Sequence, residues 1–187
     1  MPSSALRVAV SNTGPLISAF QSGRVDILRQ LYDAILIPDT ELAEFEKHGA
    51  GDEIGELIAC GFVVVHALTD AEQQAAQAIA DAIARSLFSK DREAAHHYPE
   101  AEAMVLMSRS ESPAREILLD ELAARAIAQE RGMPVVGFAG VLIRASWQGL
   151  LSAESVRDAL VMCQRQGTHY SDQFITEVHR RLKEGAT

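Results

Sequence analysis

A three-layer α/β/α sandwich with a mostly parallel sheet of about five strands is the fold class this sequence predicts, on three observations. Short, continuously apolar runs such as "ILIP", "FVVVH", "ILLD" and "PVVG" lack the alternation of a half-exposed sheet. Strands covered by helices on both faces read this way. Segments with helical spacing separate the runs, and such alternation favours parallel strands joined by right-handed crossovers. Finally, 187 residues that are 48% hydrophobic suffice for a core without staples, which predicts one domain over 1–187.

The elements follow in order. A first strand at 7–11 ends on Ser11 and Asn12, turns through Gly14-Pro15 and becomes apolar again. A helix at 25–32 precedes the second strand, 34–38. Asp39 then follows "IP" and can cap a helix over 39–48 that carries Glu41, Glu44 and Glu46. A helix at 52–60 leads to a third strand at 62–66. Thr69 or Asp70 can cap the alanine-rich helix 70–88, and "SKDREAAHH" at 89–97 is the expected mobile loop. Pro99 suits the first position of a helix at 99–108. The fourth strand, 117–120, is followed by a helix at 121–131 that Gly132 stops.

A fifth strand at 134–137 leads into a helix at 138–148. There Trp147 continues the apolar positions Val141, Leu142 and Ala145, and is expected in the core. Ser152 opens a helix at 152–166, Gly167 ends it, and a last helix spans 171–183. These C-terminal helices, 152–183, are expected to pack on the domain or to mediate association. With the helix at 70–87 they offer faces for a second copy, so a homodimer is expected.

Composition narrows the function classes. No apolar run approaches the ~18 residues that span a bilayer, and no signal peptide is visible, so no membrane role and a cytoplasmic location are expected. Cys60 and Cys163 match no metal or redox spacing and read as reduced thiols. Against 17 Lys+Arg stand 26 Asp+Glu, a formal net charge of −9. Such a surface disfavours loose binding to nucleic acid unless divalent cations or a basic partner intervene.

Acidic and amide side chains recur at element ends: Asn12, Glu44, Glu100, Glu102 and the pair Asp120-Glu121. The carboxyl ends of parallel strands share one edge, so Asn12 and Asp120 can converge there. Carboxylates brought together repel one another, and a hard divalent cation with oxygen ligands removes that cost. Each residue also has a structural reading. Asp120 can cap the helix 121–131, Glu100 and Glu102 can complement a helix dipole, Glu44 can lie on an exposed face, and Asn12 can fix its own turn. His96-His97 and Glu100 give a His-x-x-x-Glu spacing that would put two metal ligands on one helical face, but both histidines read as loop residues when the helix begins at Pro99, with metal binding the lesser alternative. Arg180, Arg181 and Lys183 form a basic patch on the last helix, either a solvated face or an RNA-backbone contact.

The segments "VSNTGPLI", "LIPDTELAEF", "YPEAEAMVL" and, most specifically, "ILLDELAARAIAQERGMPVVGFAGVLIRASWQGLL" together resemble PIN-domain proteins. More narrowly they resemble a PIN-like branch of bacteria and archaea catalogued as a domain of unknown function and related to VapC-type toxins. The resemblance implies a Mg²⁺- or Mn²⁺-dependent ribonuclease acting on RNA, with the toxin of a toxin–antitoxin pair, partnered by an antitoxin protein, as one form of that role; the alternative is a PIN-like module that binds RNA or protein without cutting. By position, Asn12 stands where most PIN domains have their first aspartate, and Glu44 matches the glutamate after the second strand. Glu102 matches the acidic residue of the central helix, with Glu100 as second choice. Asp120 or Glu121 matches the acidic pair after the fourth strand, and Arg125 an arginine suited to a phosphate contact. The implied catalytic set is therefore Asn12, Glu44, Glu102 and Asp120, with Glu121 joining them as a metal ligand. Two departures stand out: the amide at Asn12 is neutral, and Pro99-Glu100 replaces the branch's usual Gly-Glu.

Overall fold

The computed structural model describes residues 6–185. Five strands, β1 (Val8–Ser11), β2 (Ala34–Pro38), β3 (Val63–His66), β4 (Glu116–Leu118) and β5 (Val135–Val136), form one sheet. Its order is β3-β2-β1-β4-β5, and every neighbouring pair is parallel. Around it lie α1 (Thr13–Gln21), α2 (Val25–Leu31), α3 (Leu42–Lys47), α4 (Gly51–Ala59), α5 (Asp70–Arg85), α6 (Tyr98–Met107), α7 (Leu122–Glu130), α8 (Phe138–Trp147), α9 (Ala153–Arg165) and α10 (Asp172–Glu184). None of these helices is long and apolar enough to cross a membrane.

The strand period divides the core in two. Ala9, Ile35, Ile37 and Leu118 face one layer, where α1–α4 and α8–α10 contribute Leu16, Ile27, Phe45, Phe138, Leu142, Leu160 and Ile175. Val8, Val10, Leu36, Ile117 and Leu119 face the other, against Ile83, Met104 and Ala124 from α5, α6 and α7. Both faces of the central strands β1, β2 and β4 are thereby largely buried, as their unbroken apolar runs require, whereas the edge strands β3 and β5 are partly exposed. The C-terminal helices join the first layer through Val156, Leu160, Cys163, Val178 and Leu182.

Strand order reverses between β1 and β4. The chain leaves β1 toward one layer through α1 and leaves β4 toward the other through α7. That divergence opens a crevice at the carboxyl edge, the usual ligand position in such sheets.

Three expectations are corrected. Gly14 and Pro15 do not make a turn; they lie in the first turn of α1, where proline is tolerated because its missing N–H has no helical acceptor. Residues 89–97 are anchored rather than open: Ala94–His97 form a 3-10 turn, and Ser89 and His97 are buried. Trp147 is 77% exposed. The buried stripe of α8 runs through Phe138, Val141, Leu142 and Ala145, and Trp147 follows Ala145 by two positions, about 200° around the helix. By contrast, the cap expected of Thr69 is present: its side chain and that of Glu72 form a reciprocal capping box at α5.

Candidate functional site

Asn12 ends β1 and occupies the N-cap position of α1, yet its side chain makes no capping bond. It points across the crevice instead, where Nδ2 donates to Glu100 Oε1 at 3.0 Å. The next residue, Thr13, donates its backbone N–H to Glu41 Oε2 at 2.8 Å and its hydroxyl to the same oxygen. Glu41 closes the 3-10 turn Asp39–Glu41 after β2 and is 1% exposed.

Asp120 follows β4. It does not cap α7, whose N-cap position is Glu121; its Oδ1 accepts the backbone N–H of Phe138 at the start of α8, at 2.7 Å. The absence of a side chain at Gly137 permits this approach, because a Cβ there would stand 2.8 Å from Asp120 Oδ1 and 3.0 Å from Arg125 Nη1. Asn12 Oδ1 and Asp120 Oδ2 both come within 4.0 Å of the position a Cβ on Gly14 would take, so the ends of β1 and β4 do converge.

The sequence-derived residues separate on this geometry. Asn12, Asp120 and the second choice, Glu100, share the crevice. Glu102 is buried, but it accepts from the Thr40 hydroxyl, on the β2 side of the cluster. Glu100 and Glu102 are two residues apart, so α6 turns them in different directions.

The expectation that Glu44 faces inward is corrected. Glu44 lies on the exposed side of α3, bonded to Lys47 at 2.8 Å and His48 at 3.1 Å, and Lys47 holds its carboxyl below the ordinary value. Glu41, one helical turn earlier, is the buried glutamate of this segment. Arg125 reaches the crevice beside Asp120 and opposes the rise in its pKa. The basic patch on α10 is internally neutralised: Arg180 pairs with Glu177 and Glu184, Arg181 with Glu177, and Lys183 with Glu154.

His97 was read from sequence as a loop histidine, and Tyr170 was not singled out. His97 is buried, with Nδ1 3.1 Å from Glu121 Oε2, and its ligand atoms with those of Glu100 and Glu121 lie within 4.8 Å of one another. The 97–100 interval is the i,i+3 spacing of one helical face, hidden while the helix is expected to begin only at Pro99. Tyr170, between α9 and α10, has a buried hydroxyl. Burial and the charge of Asp120 raise its pKa, and no local pattern connects this residue with Asp120.

The electrostatics are those of crowded carboxylates. Burial, then the Glu100 and Glu102 carboxylates, raise the Glu41 pKa well above the ordinary value, against the opposing Thr13 N–H. Burial, with Glu121 beside it, pushes Glu100 up to about 7. Burial also raises Asp120, although the Phe138 N–H and Arg125 resist. Asn12 Oδ1, Glu41 Oε1, Glu100 Oε2 and Asp120 Oδ2 are buried with no hydrogen-bond donor among the described residues. Such oxygens are costly without a counter-charge, and an all-oxygen set of this kind fits a hard divalent cation.

A cavity of about 280 Å³ lies elsewhere, lined by Arg7, Tyr32, Arg115, Glu116 and Arg144 near the amino ends of the strands. Its Glu116 is already saturated by the Tyr32 hydroxyl at 2.7 Å and a two-pronged bond to Arg144. That arrangement reads as a structural clasp between β4, α2 and α8.

A family model described as a PIN domain matches residues 8–184. No curated protein and no solved structure matches the chain.

Proposed function

The chain belongs to the PIN-domain family, and on that premise we propose that it is a divalent-cation-dependent endoribonuclease whose centre is the crevice between β1 and β4. The observation that carries the proposal is the set of buried, donorless oxygens on Asn12, Glu41, Glu100 and Asp120, with Asn12 bonded to Glu100 and lying beside Asp120 at the ends of β1 and β4. These residues would hold Mg²⁺ or Mn²⁺, with Glu121 and Glu102 at the flanks. A cation bound there would supply Lewis acidity, lowering the pKa of water and neutralising charge that develops on a phosphodiester.

The protein's own groups fix the geometry. The Asn12 amide aims Glu100, Thr13 aims Glu41, Thr40 holds Glu102, and the Phe138 N–H holds Asp120. Arg125, beside Asp120, offers the charge-assisted donors that a phosphate oxygen needs. The amide at 12 serves this arrangement twice, since Nδ2 orders Glu100 and Oδ1 remains a ligand. A carboxylate there would add a further negative charge to the cluster.

The test is cleavage of end-labelled single-stranded RNA with Mg²⁺, Mn²⁺ or EDTA. Cleavage should require the cation and disappear in Asp120→Asn, whose amide oxygen can still accept from Phe138 and keep the fold. Unchanged cutting in EDTA or by that variant removes the mechanism. A second reading rests on the neutral Asn12: a PIN domain that binds RNA or protein without cutting. It predicts retention of labelled RNA with no metal-dependent product.

A further inference from the structure

We infer that His97, Glu100 and Glu121 form a mixed nitrogen–oxygen cation subsite on the α6–α7 side of the crevice, which makes the protein prefer Mn²⁺ or Zn²⁺ to Mg²⁺. The inference rests on the reading of the crevice as a cation site and adds to it a ligand of a different chemical kind.

Three elements build the subsite. His97 ends the 3-10 turn Ala94–His97, Glu100 lies in the first turn of α6, and Glu121 is the N-cap residue of α7. Their ligand atoms fall within 4.8 Å of one another. The His97 side chain is 4% exposed, so its orientation is set by packing.

The hydrogen bonds around the ring decide which nitrogen is available. Nε2 lies 3.0 Å from the Asp91 carbonyl oxygen, which can only accept. It also lies 3.2 Å from Ser89 Oγ, whose own hydrogen goes to that same carbonyl. Both neighbours are acceptors, so Nε2 carries the hydrogen. A proton on Nδ1 makes the 3.1 Å contact with Glu121 Oε2 an ion pair; in the neutral ring the Nδ1 lone pair faces that oxygen, and a cation can take the proton's place. An imidazole held by a carbonyl at its far nitrogen is also the usual arrangement of a metal-ligating histidine.

A second observation points the same way. Asn12 is 6% exposed, its Nδ2 holds Glu100, and its Oδ1 has no donor; Glu100 Oε2 has none either. The side chain that holds Glu100 thus carries a buried acceptor with no donor, and so does Glu100 itself. Mg²⁺ favours oxygen and retains its waters, whereas Mn²⁺ and Zn²⁺ accept imidazole.

The test is pulsed electron paramagnetic resonance on the full chain loaded with Mn²⁺, with calorimetric titration of Mn²⁺, Zn²⁺ and Mg²⁺. The spectrum should show nitrogen coupling from one imidazole. His96→Gln should keep that coupling, because His96 is an exposed partner of Asp91, and His97→Gln should lose it. In His97→Gln, affinity for Mn²⁺ and Zn²⁺ should fall at least about tenfold, with Mg²⁺ changed less than about threefold. Mn²⁺ bound without nitrogen coupling overturns the inference and leaves an all-oxygen site standing. Coupling that vanishes in His96→Gln also overturns it, even if His97→Gln fails to fold. A wild-type chain that binds no Mn²⁺ overturns both this inference and the reading beneath it.

Discussion

Replacing Glu100 with glutamine should stabilise the metal-free protein above neutral pH and change little in acid. Burial and the Glu121 carboxylate push the Glu100 carboxyl from the ordinary 4.5 up to about 7. A group with a raised folded pKa contributes fully below its unfolded value and loses that contribution as pH rises through the folded one. Wild type therefore forfeits stability between about pH 4.5 and 7. At about 1.4 kcal/mol per tenfold change in acidity, the interval sets an upper limit of about 3 kcal/mol. Glu100 is only partly buried at the crevice rim and titrates beside Glu41, which brings the expected gain to about 1–2 kcal/mol. Glutamine keeps an oxygen for Asn12 Nδ2 and turns an N–H toward the remaining carboxylates. Urea unfolding in EDTA at pH 8 and pH 4.5 measures the effect. The variant should gain at pH 8, match wild type at pH 4.5, and no longer be stabilised by added Mn²⁺. A variant less stable than wild type at pH 8, or an equal difference at both pH values, would refute the reasoning.

Two substitutions on α3 and the turn before it should behave oppositely. Glu41→Gln should lower the cleavage rate by about 100-fold or more, whereas Glu44→Gln should leave it within about twofold, since Glu44 meets only Lys47 and His48; rates on labelled RNA separate them. Gly137→Ala should destabilise the fold by about 1–3 kcal/mol and weaken Mn²⁺ binding, because its Cβ would meet Asp120 Oδ1 at 2.8 Å and the Leu119 carbonyl at 3.3 Å. Thermal unfolding with calorimetry checks both effects, and a variant that binds Mn²⁺ normally would contradict the role given to that close approach.

The layers were legible in the sequence because helices on both sides of the sheet leave its strands continuously apolar, even at the partly exposed edges. "ILIP" and "PVVG" carry no alternation, and β2 and β5 sit where those runs are. The first helix was not legible, since Gly14-Pro15 is the common signature of a turn and its place in a helical first turn depends on the packing of Leu16 and Ile17. Asn12 and Asp120 could be placed at one edge from topology alone. The choice between Glu41 and Glu44 could not, because a 3-10 turn, not a continuous helix, carries Glu41 to Thr13. The pairing of Glu100 with Asn12 similarly depends on where α6 begins. His97 was hidden because its partners, Glu121 and the Asp91 carbonyl, come from separate segments that only the tertiary fold unites.

The central claim is that a divalent cation sits among the donorless oxygens between β1 and β4. Crystals soaked in Mn²⁺ and measured at its absorption edge test this most directly. The account predicts an anomalous peak within about 2.0–2.6 Å of oxygens from Glu100 and Asp120, with Asn12 Oδ1 or Glu41 Oε1 completing the set. Manganese found only on exposed carboxylates such as Glu44, with the crevice empty at saturating concentration, would contradict it.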